Sequence, residues 1–263
     1  MRRYLRIYKE CMRVAWNQAA AYRVNFLLTT LITLFGNILF PLVTILIYQT
    51  GSSFPGWNFY EVLLLQSIFT MSDGVAGIIT GGVLWTTLQH VKEGSLDTVL
   101  LKPVNPLFFL VSSTLEPENI GLVVGGGILF GVSHTHLGGI TVLSFLGGLG
   151  LFLSGVAVLA GMALLMAATS FKWVGNSRIP EIFDSVKSFG KYPITIFPRA
   201  VQSLVTCVIP VAVIAYFPAK FILQKGVVGG VNTYLVCIPC VLFFFVSIWL
   251  FGFMIRLYEG VGG

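Results

Sequence analysis

The sequence predicts an all-α polytopic membrane protein: six transmembrane helices behind an N-terminal interfacial amphipathic helix, with a possible re-entrant outer hairpin. Three observations predict this. The 263 residues are 56% hydrophobic and only 10% charged, against about 25% charged in an average soluble domain. Apolar runs of membrane-spanning length recur along the chain, which has a mean hydropathy of +0.89. The basic residues collect in alternate gaps between those runs.

A helix rises 1.5 Å per residue, so about 20 apolar residues cross a hydrocarbon core roughly 30 Å thick. The first expected span is 24–48, and the second, 62–88, is interrupted only by Asp73. The run from 119 to 171 is too long for one helix. Its break is expected at the polar Ser133-His134-Thr135-His136, followed by Gly138-Gly139, because such clusters mark turns. This gives spans at 107–132 and 140–171, with 200–219 and 233–255 completing six. Pro117 disfavours helical geometry at Glu116, so Leu107–Leu115 is expected to be an interfacial or gating helix that bends into the third span. No polar stretch is long enough for a separate soluble domain, and residues 1–263 read as a single transmembrane domain.

Residues 1–23 carry Arg2, Arg6, Lys9 and Arg13 on one narrow helical face and Tyr4, Tyr8, Cys11 and Ala15 on the other. A helix of this kind lies in the headgroup plane, so the four basic residues are expected to be an interfacial anchor. With six spans both termini share a side. If that side is cytoplasmic, fourteen of the sixteen basic residues lie inside and only Lys220 and Lys225 lie outside, a strong positive-inside asymmetry. Trp57, Tyr60, Trp173 and Tyr258 fall where interfacial aromatic anchors belong. The net charge of +6 is therefore explained by anionic lipid rather than by nucleic acid.

The stretch 178–192 alternates an apolar face (Ile179, Ile182, Phe183, Val186, Phe189) with a charged one (Arg178, Glu181, Asp184, Lys187, Lys191). An amphipathic helix follows from that pattern, either lying in the cytoplasmic interface or crossing as a polar fifth span that lines a cavity. In the second case 194–223, with Pro198, Pro210 and Pro218, becomes a re-entrant hairpin at the outer face. Such broken backbone is tolerated only where protein or water shields it.

Asp73, Glu116 and Glu118 are the candidates for cavity or intramembrane polar positions, since a carboxylate at membrane depth turns toward the bundle interior or water. Gly150 with Ser154, Ala157 with Gly161 and Ala163 with Ala167 give the fourth span a surface for close helix packing. Cys237-Ile238-Pro239-Cys240 lies in an apolar run, where Cys behaves as a small hydrophobe. His134 and His136 lack a nearby third ligand for a metal. No paired aspartates, Ser/His couple or His-rich box converges for intramembrane catalysis, and no filter sequence suggests a channel; an intramembrane enzyme or a channel-like protein is the rival class.

The loop between the second and third spans reads Lys92-Glu93-Gly94-Ser95-Leu96-Asp97-Thr98-Val99-Leu100-Leu101-Lys102-Pro103-Val104-Asn105-Pro106-Leu107. It resembles the E-G-x-L-D-x-L-L-x-P-x-x-P-L segment of the six-span ABC-2-type exporter permeases, the subfamily of multidrug type often encoded as permease pairs. Tyr22-Arg23-x-Asn25-Phe26, Tyr192-Pro193, Ile209-Pro210 and Tyr216-Phe217-Pro218-Ala219 are similar too, while Lys102 stands where Arg is commoner. The resemblance implies a permease that moves an amphipathic or hydrophobic substrate out of the cytoplasm, in the cell (inner) membrane, with both termini cytoplasmic. It implies a dimer with a second permease subunit, alike or different, seated on two copies of an ABC ATP-binding subunit. ATP and Mg²⁺ belong to that partner, and this chain binds no cofactor. It lacks a G-x-x-x-x-G-K-[ST] phosphate loop. Glu93, Gly94, Leu96, Asp97, Leu100 and Lys102 are the expected coupling residues, Glu93 and Asp97 as charged contacts and Leu96 and Leu100 as apolar knobs.

Overall fold

A computed structural model of the chain describes residues 2–37, 39–138, 142–172, 178–225 and 233–258. Trp173, Gly139 and Ile140, which carried expectations above, lie outside these. The described residues form helices and turns with no strand. The N-terminal helix α1 (Arg2–Ala21) is followed by α2 (Arg23–Gly36) and α3 (Leu39–Gln49), then by the long α4 (Phe59–Lys92). At 34 residues, α4 is about 50 Å long and forms the axis of the molecule.

Both ends of α4 are fixed by local chemistry. Asn58 accepts from the Glu61 amide at 2.9 Å while Glu61 accepts from the Asn58 amide at 2.7 Å, a reciprocal cap that satisfies two otherwise orphaned donors. At the other end Gly94 takes φ +68°, and the amides of Gly94 and Ser95 return to the carbonyls of Val91 and His90. A glycine in the left-handed conformation closes a helix in this way without a Cβ penalty.

Beyond it come α5 (Leu96–Leu100) and α6 (Pro106–Ser113), then α7 (Ile120–His136) and α8 (Val142–Thr169). α6 and the stretch Pro117–His136 are bent by 61°, with the Glu116 amide donating to the Ile78 carbonyl of α4 at 3.1 Å. The Ser133–His136 run is not the expected turn: it is the last turn of α7. Ser133 and Thr135 donate to the Leu129 and Val132 carbonyls, keeping the polar side chains within the helix, and His136 stacks on Tyr60 at 4.1 Å.

α9 (Ile179–Ser188) and the 3₁₀ turn Phe189–Lys191 climb along α4 for about 20 Å. Ile179 joins the apolar cluster that includes Val83, Leu84 and Val91 near the Lys92 end. Lys187 meets Asp73 at mid-helix, Gly190 lies against Phe69, and Tyr192 reaches Phe40 and Phe54 beside the Asn58 end. The segment thus runs through the bundle rather than across its end.

The stretch 200–219, expected either as a fifth span or as part of a re-entrant hairpin, is broken. α10 (Arg199–Ser203) passes through a π-helical turn, Leu204–Val208, and α11 (Ala212–Ile222) leaves at 100° to it. Pro210 at the break has no amide to carry a helix through. α11 begins level with Ser72 and Gly155 and runs back toward the Asn58 end, where Ile222 packs by Gly148 and Lys225 pairs with Glu61. Residues 194–222 therefore fold as a hairpin inserted from the Asn58 end. Its interior proline is accommodated: Pro218 cannot donate to the Ile214 carbonyl, and the Ser72 hydroxyl donates to that carbonyl instead, at 3.3 Å. The last helix, α12 (Cys237–Met254), lies along α8.

The core has two parts. One gathers α4, α8 and α11 around Phe69, Leu159 and Ile214, and the other surrounds the Lys92 end with Val83, Leu110, Phe171 and Phe251. α2, α3 and α12 expose rows of large apolar side chains, among them Leu28, Ile32, Leu42, Leu242, Phe245 and Trp249. Among the described residues, four helical stretches are long and apolar enough to cross a membrane, or up to six where each of two bent pairs is taken as one span.

Candidate functional site

Between α4, α7, α8 and α9 lies a cavity of roughly 210 Å³. Its polar wall is built from three elements. α4 supplies Asp73 and Thr80, the α6–α7 bend supplies Glu116 and Asn119, and α9 supplies Asp184 and Lys187. Leu84, Trp85, Leu122, Leu159 and Phe183 make the apolar remainder. The Lys187 ammonium lies 3.2 Å from both Asp73 carboxylate oxygens and 3.3 Å from Asp184. Phe183 offers its ring face 5.3 Å away.

Small residues on α4 make the cavity possible. A methyl at Gly81 would sit 2.5 Å from a Glu116 oxygen, and one at Gly77 would be 3.0 Å from the Asn119 amide group. Glu116 Oε2 accepts from Asn119 Nδ2 at 3.0 Å. Of the three expected intramembrane carboxylates, Asp73 and Glu116 share this cavity. Glu118 does not: it faces a separate recess with Gln18, Tyr22 and Asn25.

At the Lys92 end, α5 presents a second surface. Glu93, Asp97, Thr98, Leu100, Leu101 and Lys102 are exposed. Gln89 donates to Glu93 at 2.8 Å and Lys102 stands 3.6 Å over the Phe109 ring. Leu96 differs from the expectation of a surface knob. It is fully buried, as Val99 is, because the i and i+3 side chains of so short a helix share the inward face. The exposed apolar side chains are Leu100 at 40% and Leu101 at 85%. Tyr258, after α12, buries its hydroxyl here, and burial together with the Asp97 carboxylate pushes its phenol above the usual range.

α1 lies beside this surface. Arg3 donates to the Pro103 carbonyl at 3.2 Å and Tyr4 packs edge-on against Phe108 at 4.8 Å. Arg2, Arg6, Lys9 and Arg13 are all exposed, while Tyr8, Cys11 and Ala15 are partly covered.

Residues 31–262 match the profile of a family described as "ABC-2 family transporter protein". The chain belongs to the ABC-2 transporter family. No curated protein and no solved structure matches it. It is accordingly a multi-pass membrane permease of an ABC transporter.

Within this ABC-2 permease the sequence pointed to Asp73 and Glu116 but missed Lys187, Asp184, Asn119 and Thr80 as their neighbours. The signal for Lys187 was the charged stripe of 178–192, which is compatible with lying on a membrane or passing through a bundle. Asp73 decides between them, because its carboxylate within an apolar run requires a partner. The permease's Cys240 is buried and donates to the Val236 carbonyl, while Cys237 accepts from Ser154 at 3.4 Å.

Proposed function

We propose that this ABC-2 permease is the membrane half of an exporter driven by ATP hydrolysis on a separate subunit, moving an amphipathic or hydrophobic substrate out of the cytoplasm. The observation that carries the reading is the pairing of an exposed charged and apolar helix, α5, with a polar cavity along the same α4. Motion imposed at α5 would reach the cavity through α4, a single unbroken helix from Phe59 to Lys92.

In this reading the permease lies in the cell (inner) membrane with both termini and α5 cytoplasmic. The excess of basic residues at the termini and the Lys92 end supports this, although Lys187 and Lys191 lie within the bundle and Arg199 belongs to the hairpin. Two permease subunits, alike or different, sit on two copies of the ATP-binding subunit, which hold the ATP and Mg²⁺. Glu93, Asp97 and Lys102 supply the charged contacts. Gly94 sets the turn, Leu100 and Leu101 are the apolar knobs, and Leu96 anchors α5 from beneath. Arg2, Arg6, Lys9 and Arg13 hold α1 to anionic headgroups.

Co-expression with candidate ATP-binding subunits from the same genome tests the assembly. A stable complex that is lost on reversing Glu93 and Asp97 to Lys supports the reading. A complex unaffected by that double reversal places the contact elsewhere.

A further inference from the structure

The cavity already contains a site for an ammonium group, and its occupant is the chain's own Lys187. Two Asp73 oxygens at 3.2 Å, Asp184 at 3.3 Å and the Phe183 ring at 5.3 Å surround that nitrogen. Carboxylates and an aromatic face are what recognise alkylammonium ions. Lysine reaches the site on a flexible four-carbon stem, so its headgroup can leave without the backbone moving.

The cavity holds more acid than this lysine satisfies. Three carboxyl groups, Asp73, Asp184 and Glu116, line it with one ammonium. Among the described residues, no cationic side chain lies within 4.0 Å of Glu116, whose side-chain hydrogen bond is to the neutral Asn119. Glu116 is held in place all the same: its own amide is bonded to Ile78, and Gly81 leaves room for its carboxylate. Next to it, Trp85 is 60% exposed, presenting a second aromatic surface.

A separate apolar space lies in the same bundle. Toward the Asn58 end, a second cavity of roughly 180 Å³ is lined wholly by nonpolar residues, including Met71, Phe130, Phe145, Phe152 and Ile222. Between the two, Gly74 and Gly126 bring α4 and α7 into close contact. The nonpolar part of a ligand held at the acidic wall would meet Leu84, Trp85 and Leu159 of the same cavity.

We propose that the inner cavity is a binding site for a cationic amphiphile, an amine or quaternary ammonium compound with an aromatic or alkyl body. Glu116 receives its positive charge, Asp73 exchanges it with Lys187, and Trp85, Leu84 and Leu159 cover its nonpolar part. This rests on the exporter reading and names the substrate class for it.

The test uses the full chain in lipid nanodiscs, without nucleotide or ATP-binding subunit, titrated calorimetrically with N-benzylpyridinium and with benzenesulfonate. The cation is expected to bind saturably and the sulfonate not at all. Glu116→Gln should weaken cation binding about tenfold, equivalent to ~1.4 kcal/mol, at unchanged thermal stability. Lys187→Gln should strengthen it several-fold by freeing Asp73, an effect that a purely structural lysine would not give. No cation binding, equal binding of the sulfonate, or undiminished affinity in Glu116→Gln overturns the proposal. Should Lys187→Gln fail to fold, the probe pair and Glu116→Gln still decide. Cation binding without assembly on an ATP-binding subunit counts against the exporter reading alone, and assembly without cation binding counts against the substrate class alone.

Discussion

Lys187 of α9 places its ammonium 3.2 Å from both carboxylate oxygens of Asp73 in α4, joining positions 114 residues apart. The pair explains how a charged amphipathic segment enters an apolar bundle. Each charge offsets part of the cost of burying the other, and both side chains are mostly shielded, at 16% and 22% exposure.

Replacing Asp73 with Leu leaves the Lys187 charge with only the exposed Asp184 as a partner, and a loss of about 3 kcal/mol is expected, the lower end for breaking a buried pair. Asp73→Asn keeps a hydrogen-bond acceptor and should be milder. The exchanged pair Asp73→Lys with Lys187→Asp should recover much of the loss in thermal unfolding. Equal yield and melting temperature for the Asn and Leu variants would remove the argument for the ion pair.

Ser72→Ala tests the proline in α11. It leaves the Ile214 carbonyl without the donor that stands in for the missing Pro218 amide, and an unsatisfied buried acceptor costs about 1–3 kcal/mol. Adding Pro218→Ala, which restores a backbone donor, should return part of the stability. A double variant no more stable than Ser72→Ala would contradict this account of the hairpin.

The organisation of the membrane domain was legible because apolar runs and basic gaps are one-dimensional signals. What was not legible depended on contacts distant in sequence. The stripe of 178–192 reads identically whether its charged face meets headgroups or a cavity, and only Asp73 on another helix distinguishes them. Ser133 and Thr135 suggested a turn, yet each satisfies its hydroxyl on a preceding carbonyl of the same helix. Leu96 and Leu100 share one face of α5, but Leu96 is buried beneath the helix while Leu100, at its last residue, is 40% exposed.

Leu96→Ala should therefore destabilise the protein by about 2–5 kcal/mol, as buried leucine truncations do, whereas Leu101→Ala should leave unfolding unchanged and weaken association with the ATP-binding subunit. Thermal unfolding and co-purification of the two variants separate these roles. The reverse pattern would return Leu96 to the surface role expected from sequence.

Orientation is tested at Thr98, an exposed position of α5. In a chain otherwise free of cysteine, Thr98→Cys should react with a membrane-impermeant maleimide only after the cells are opened. Labelling in intact cells would invert the topology.

The most direct test of the exporter reading is ATP hydrolysis by the ATP-binding subunit reconstituted with this permease in lipid. The wild-type permease should raise the rate above that of the ATP-binding subunit alone, and Glu93→Lys with Asp97→Lys should abolish the increase while the variant still inserts. A rate indifferent to the permease, with both proteins folded and present in the same bilayer, would contradict the account.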